Sequence, residues 1–331
     1  MFLIILNSWM RVVSTLFFRN MRGIIVSPHH SEMYPDMDSL VSTLYTQFIL
    51  PLEPAFMQRA MFAAILIGIV SGVMGAYIVT RGLAFLGDAL AHSILPGVAL
   101  AALRSDSTSS LQMLGGLAAG IVSALGIGIL TRGRRMQEDT AIGIVFAGML
   151  ALGIGIISSS RSFATDLQHV LIGNILAVTA NELVLMVIMS VVVLAIVVLL
   201  YKEFLLIAFD PGLAQTLRLP AETLRMLLLV LMAVTIVIGV QAVGIAMISA
   251  TLVTPAATSR LFTNQLWRMM LLSAAIGSLC GVIGMYLSFH HGVAPSATIV
   301  MLMTGTFALT FFFAPKKGYV WSLLGRTARK A

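Results

Sequence analysis

The chain has 331 residues, 59% of them hydrophobic and only 10% charged. Soluble domains carry roughly 25% charged residues, so this composition excludes a soluble enzyme or binding module and reads as an integral membrane protein. The formal net charge of +7 sits mostly in short connections and a C-terminal tail, where it reports topology and not a nucleic-acid surface.

The apolar segments are long and continuous rather than alternating over about ten residues. That predicts an all-α, polytopic transmembrane helical bundle of about eight to ten membrane segments and not an outer-membrane barrel. Cys280 is the single cysteine, so no disulfide forms within the chain, and its apolar setting marks a small core residue.

Residues 1–56 are expected to form an N-terminal extension, partly disordered or interfacial. Residues 1–18 are apolar but interrupted by Arg11, and Arg19 and Arg22 follow them. No basic region precedes the apolar core, so the order of a signal peptide is missing. Met33 and Met37 offer later starts, on which residues 1–32 lie upstream of the translated chain. Residues 40–52, closed by Pro51 and Pro54, are too short to span and are placed at the interface.

Residues 57–80 are the first predicted span, and Gly68, Gly72 and Gly75 allow close helix packing within it. The next helix, running to about residue 103, carries Asp88 and His92 one turn apart, so both project from the same face. A carboxylate at bilayer depth costs several kcal/mol unless it is paired, hydrated or bound to a cation. Carboxylate plus imidazole suits zinc and manganese; the competing reading is a polar packing contact between helices. Gly87 lets a neighbouring helix approach, and Pro96 removes the backbone bond to the carbonyl of His92 and bends the helix just beyond it.

After a polar loop, residues 111–131 span again and end in Arg132-Gly-Arg-Arg135, which places that loop in the cytoplasm. Asp139 and Thr140 are expected to cap the next helix, residues 141–159. The segment Asp166-Leu-Gln-His-Val-Leu-Ile-Gly-Asn-Ile-Leu176 is too short to span, and polar enough to be re-entrant or buried against the bundle on the outer side. Its His169 either extends an ion path or satisfies a buried contact.

Residues 181–201 return to the cytoplasm. Residues 202–223 form the longest internal hydrophilic connection, yet include Phe204, Leu205, Leu206, Ile207, Phe209, Leu213, Leu217 and Leu219. Asp210-Pro211 starts a short amphipathic helix there, with Pro220 beyond its end. Exposed Phe and Leu on a cytoplasmic helix suggest a docking element for a partner, set against an ordinary interfacial helix. Spans at 224–240, 243–257 and 267–288 lead to His290 and His291, and residues 292–314 return to a basic cytoplasmic tail, residues 316–331.

No phosphate-binding loop is present: Lys202, Lys316, Lys317 and Lys330 all lie outside any Gly-x-x-x-x-Gly-Lys setting. If transport is driven by ATP, another chain hydrolyses it, and this chain is a transport subunit rather than an enzyme.

The run Leu86-Gly-Asp-Ala-Leu-Ala-His-Ser-Ile-Leu-Pro-Gly97 resembles the hallmark of the manganese/zinc/iron permease family of ABC importers. Asp139-Thr-Ala-Ile-Gly-Ile144, Asp166 to Val178, Phe209-Asp-Pro-Gly-Leu-Ala214 and Leu252-Val-Thr-Pro-Ala-Ala-Thr258 are similar to four further motifs of that family, in the same order. Ala297 stands where the family usually has glycine, and the His290-His291 pair has no counterpart in its pattern. The resemblance implies a homodimeric permease in the plasma or inner membrane. It also implies two cytoplasmic ATPase subunits and an extracellular or periplasmic metal-binding protein that delivers the ion.

Asp88 and His92 match the family's metal-contacting pair. Phe209, Asp210, Pro211, Ala214, Leu217 and Leu219 match its coupling region. The cargo implied is Mn2+ or Zn2+, with Fe2+ chemically equivalent at such ligands, and no permanently bound cofactor is expected. The closing Phe313-Ala-Pro-Lys-Lys-Gly318 run resembles the manganese-type members. His290 and His291, at the outer mouth, read either as solvated interfacial residues or as a metal entry site. Two other mechanisms compete with this one: a secondary transporter in which Asp88 and His92 relay protons, and a permease for a metal chelate. No clear internal symmetry supports the first, and the Asp/His pair argues against the wider, less charged path of the second.

Overall fold

A backbone that crosses lipid has no water to bond with, so long apolar runs must satisfy their own amides and carbonyls as helices. The computed structural model describes residues 54–103, 109–134, 136–159, 173–209, 211–217 and 219–313. The chain divides into two compact units, Met1–Gln58 and Arg59–Ala331. Apart from the start of the first helix, all described helices lie in the second.

In chain order these are α1 (Ala55–Arg81), α2 (Ala84–Ser93), α3 (Leu95–Ala102), α4 (Ser109–Leu130), α5 (Glu138–Ser158) and α6 (Ala180–Leu199). They continue as α7 (Tyr201–Phe209), α8 (Pro211–Thr216), α9 (Ala221–Val243), α10 (Ile245–Phe262), α11 (Leu266–His291) and α12 (Pro295–Phe313). With α2 and α3 taken as one crossing, nine segments among the described residues are long and apolar enough to span a membrane.

Helix α9 lies at the centre. It packs on α2, α4, α6, α7 and α10, while α2 and α3 are wedged against α4, α5 and α10. A second cluster joins α10, α11 and α12. Small residues let α1 join it: Ala64, Gly68 and Gly72 lie against Gly281, Gly277 and Ser273–Ala274 of α11. Positions rising by four on one helix meet positions falling by four on the other, so the two run antiparallel with their backbones touching. A Cβ at Gly68 would sit 2.5 Å from the Ser278 nitrogen. Between α9 and α10 the chain reverses through Gly244 alone, at φ 86°, a conformation that side chains with a Cβ resist. Gly173 backs directly onto that turn, and the following 3-10 turn Ile175–Ala177 packs on α9 and α12.

Several expected boundaries move. Helix α5 begins at Glu138 after an extended Gln137, with no side-chain cap. Asp139 and Thr140 therefore lie within the first turn rather than capping it, and Glu138 and Asp139 put negative charge at the positive end of the helix. Helices α9 and α10 are longer than expected because their polar ends are satisfied, Glu222 by Arg225 and Arg260 by the carbonyl of Val79. Pro255 consequently lies inside α10, well before its end. His169 and the rest of residues 160–172 lie outside the described residues, as do Asp210, residues 1–53 and the tail.

The α1–α11 contact yields a direct test. Gly68→Ala is expected to lower the thermal unfolding midpoint of the detergent-solubilised protein, at a cost of about 1–3 kcal/mol for overpacking against backbone. Gly305→Ala, at a position with nothing within 4 Å, should leave the midpoint unchanged or raise it. Equal midpoints for the two variants would contradict the close packing.

Candidate metal site

Helix α2 buries Leu86, Ala89, Leu90 and Ser93 and turns Phe85, Asp88 and His92 the other way, toward α5. Gly87 lies where α10 crosses, and a Cβ there would meet Ser249 Cα at 3.7 Å. The helical ladder is interrupted at Ile94, between α2 and α3, and Pro96 occupies the first turn of α3. Pro96 thus divides the helix directly beyond the histidine, as its missing N–H requires.

His92 Nδ1 lies 3.0 Å from the backbone oxygen of Asp88. A carbonyl only accepts, so Nδ1 carries the proton and donates it, and in the neutral ring Nε2 keeps a free lone pair. The Asp88 carboxylate stands 3.7 Å from the same nitrogen, too far for a hydrogen bond. It takes none among the described residues. The imidazole is held edge-on against Phe146 of α5, ring centroids 5.8 Å apart, and Phe146 also meets Phe85 at 6.0 Å. Two lone-pair donors therefore share one helix face, one turn apart and uncommitted. In this single chain the His92 and Asp88 side chains remain 26% and 39% exposed. Among the described residues no third His, Cys, Asp or Glu joins them.

His290 and His291 do not reach this pair. They close α11 at the opposite end of the bundle from the start of α2. Adjacent helical residues point about 100° apart, and His290 Nδ1 is engaged with the Tyr286 carbonyl at 2.9 Å. The segment matched to the coupling region forms two helices rather than one. Phe204 and Ile207 of α7 are buried, as is Ala214 of α8, whereas Phe209, Leu213 and Leu217 are 57%, 47% and 59% exposed. Leu219 is half-buried, and Pro211 opens α8 as expected.

A third group was missed in the sequence. Glu138 Oε1 accepts from Arg81 Nη2 at 2.8 Å and from Arg225 Nη1 at 3.1 Å. Arg225 also donates to Glu222 at 2.9 Å and to Thr131 Oγ1 at 2.6 Å. The ends of α1 and α4 and the starts of α5 and α9 are thereby tied at one end of the bundle. The signal was present, because the helix alternation brings Arg81, Glu138, Glu222 and Arg225 to one side, but pairing needs coordinates.

With this geometry in place, comparison with known proteins is decisive. The profile of the ABC 3 transport family matches residues 53–314. The chain belongs to that family. It is 40% identical over 271 residues to "Manganese transport system membrane protein MntC" of Listeria monocytogenes, covering 82% of this chain and 95% of that one. It is 38% identical over 275 residues to "Manganese import system permease protein ScaB" of Streptococcus parasanguinis, covering 83% and 96%. Among solved structures, PsaBC from Streptococcus pneumoniae in complex with Fab superimposes with a TM-score of 0.72 at 35% identity, covering 83% of this chain and 98% of that one. This member of the ABC 3 family is thus a multi-pass membrane permease subunit of an ABC transporter.

The basic-end network makes a stability prediction. Glu138→Ala leaves the Arg81 and Arg225 side chains, 11% and 12% exposed, facing each other without their shared carboxylate. The expected loss is about 3 kcal/mol, the low end for breaking a buried pair, because Glu138 itself is 31% exposed. It should appear as a lower midpoint in thermal unfolding of the solubilised protein; an unchanged midpoint would remove the network from the structural account.

Proposed function

We propose that this chain imports a divalent transition metal ion, manganese foremost, by passing it across the Asp88/His92 pair. The observation that carries the reading is the exposure of that pair on a helix that crosses the membrane. A carboxylate 39% exposed cannot face lipid without a cost of several kcal/mol, so the face it occupies is one that another surface covers in the working assembly. A second copy of the chain fits this requirement. On the side turned away from Phe146, α5 exposes Ala147, Gly148, Ala151 and Gly155 along one face, a small-residue stripe that permits close helix packing. Two copies would supply two carboxylates and two imidazoles, where each copy alone offers two donors.

Nitrogen and oxygen donors without thiolate suit Mn2+, Fe2+ and Zn2+, and manganese is the ion in the names of the relatives MntC and ScaB. Binding by few protein ligands also suits transport, since an ion held too tightly does not leave. The end that carries Arg81, Arg132 and Arg225 is read as cytoplasmic by the positive-inside rule, which also places the C-terminal tail inside and His290 and His291 outside. On that side Phe209, Leu213 and Leu217 present an apolar stripe to a separate ATPase subunit. A metal-binding protein delivers the ion at the other side.

The test is uptake of radioactive manganese and zinc by cells carrying the complete transporter, with Asp88→Ala and His92→Ala compared with the unaltered chain at matched membrane levels. Each substitution is expected to reduce uptake roughly tenfold or more, at least the loss seen when a residue supporting a metal ligand is removed. Normal uptake by both would reject the pair as the ion's contact.

A further inference from the structure

At the end of the bundle opposite the arginine cluster, a cavity of about 240 Å³ opens between α3, α4, α6, α9 and the Ile175–Ala177 turn. Four polar side chains line it, Gln112, Asn174, Glu182 and Gln241. Glu182 is only 5% exposed. Its Oε2 accepts from the Thr179 amide at 2.7 Å and the Thr179 hydroxyl at 2.8 Å, closing a capping box at the start of α6. Oε1 takes no hydrogen bond among the described residues, and among them no Lys, Arg or His forms an ion pair with the carboxylate.

The capping box explains the oxygen but not the charge, because glutamine serves equally at that position. The helix N-terminus offsets at most about 1–2 kcal/mol of a buried charge, whereas the desolvation of an unpaired carboxylate costs several. A cation would supply the matching charge. The three amides that share the cavity supply further oxygen ligands, and at about 30 Å³ per water the space admits an ion with part of its hydration shell. One carboxylate, neutral oxygens and waters form the donor set of a hard divalent cation, and the described lining residues include no imidazole or thiolate of the kind that favours zinc.

We propose that this cavity is a second divalent-cation site, with Glu182 as its charged ligand and Gln112, Asn174 and Gln241 as neutral ones. It is separate from Asp88 and His92 but adjoins them along the chain, since Ile94, the residue at which the site helix is divided, lines its wall. Mn2+ is the ion tested because of the proposed function; the site itself rests on the cavity and its carboxylate. A single charged ligand binds loosely and exchanges readily, as a staging position before the permeation path requires.

The experiment counts Mn2+ bound to the nucleotide-free permease–ATPase complex in nanodiscs by electron paramagnetic resonance. The Asp88→Asn, His92→Gln double variant is expected to retain one weak Mn2+ site per permease, and adding Glu182→Gln, which preserves the capping box, to abolish it. If that triple variant unfolds at a lower temperature than its parent, Gln241→Leu in the same double-variant background decides, with weakened binding expected. A double variant that binds no Mn2+, or binding unaltered by the deciding substitution, would overturn the site. Either outcome is independent of whether the unaltered chain binds Mn2+ at Asp88 and His92, which is read from the difference between the unaltered and double-variant proteins.

Discussion

Charge inside an apolar bundle must be matched, and the ionisable side chains of this protein divide according to how that is done. Glu138 matches two arginines within the chain, and the cluster ties four helices together. Asp88 and His92 lie on a spanning helix with no third His, Cys, Asp or Glu among the described residues. The first arrangement is what stability asks of ion pairs, and the second is what passage of an ion asks of a site. The same physics that makes an unmatched carboxylate costly in lipid makes it useful where a cation arrives and departs.

The two arrangements share helices. Arg81 closes α1, and only Gly82 and Leu83 separate it from α2, which carries Asp88. Glu138 opens α5, which presents Phe146 to the imidazole two turns further along. Arg225, in the first turns of α9, holds the other side of Glu138, and α9 packs directly on α7, next to the exposed stripe of α8. The elements that position the Asp88/His92 face are therefore anchored by the same salt bridges that border α7 and α8. The interruption at Ile94 leaves the half of the crossing that bears Asp88 and His92 connected to the remainder by a joint rather than a continuous ladder.

Helix existence and order were readable from hydropathy because a spanning segment has to be apolar over its whole length. The ends were less readable. Glu138 and Arg260 look like loop polarity in one dimension, and are satisfied within helices by partners from distant segments, whereas Glu222 is met by Arg225 one turn along its own helix. Asp88 and His92 stood out since their spacing is local and their polarity is out of place. Glu182 did not, because one acidic residue at the start of a span reads as an ordinary helix beginning; its company of Gln112, Asn174 and Gln241 comes from three other parts of the chain. A short helix opening at Pro211 was readable from the Asp210-Pro211 pair, but which apolar residues around it face inward depends on α9 and on Tyr77, which packs edge-on against Phe204.

The tautomer of His92 connects local backbone to ion chemistry. Because Nδ1 is held by the carbonyl of its own helix one turn back, the nitrogen left for a metal is Nε2, the one farther from the backbone. Asp88 reaches the same helix face from that previous turn, its carboxylate 3.7 Å from Nδ1. A histidine fixed in this way by its own backbone needs no carboxylate to orient it, so under the proposed function Asp88 is available as a ligand rather than as the residue behind one. In a span where every additional polar group adds to the cost of insertion, orienting the imidazole with a main-chain carbonyl that is already present limits the site to two ionisable side chains.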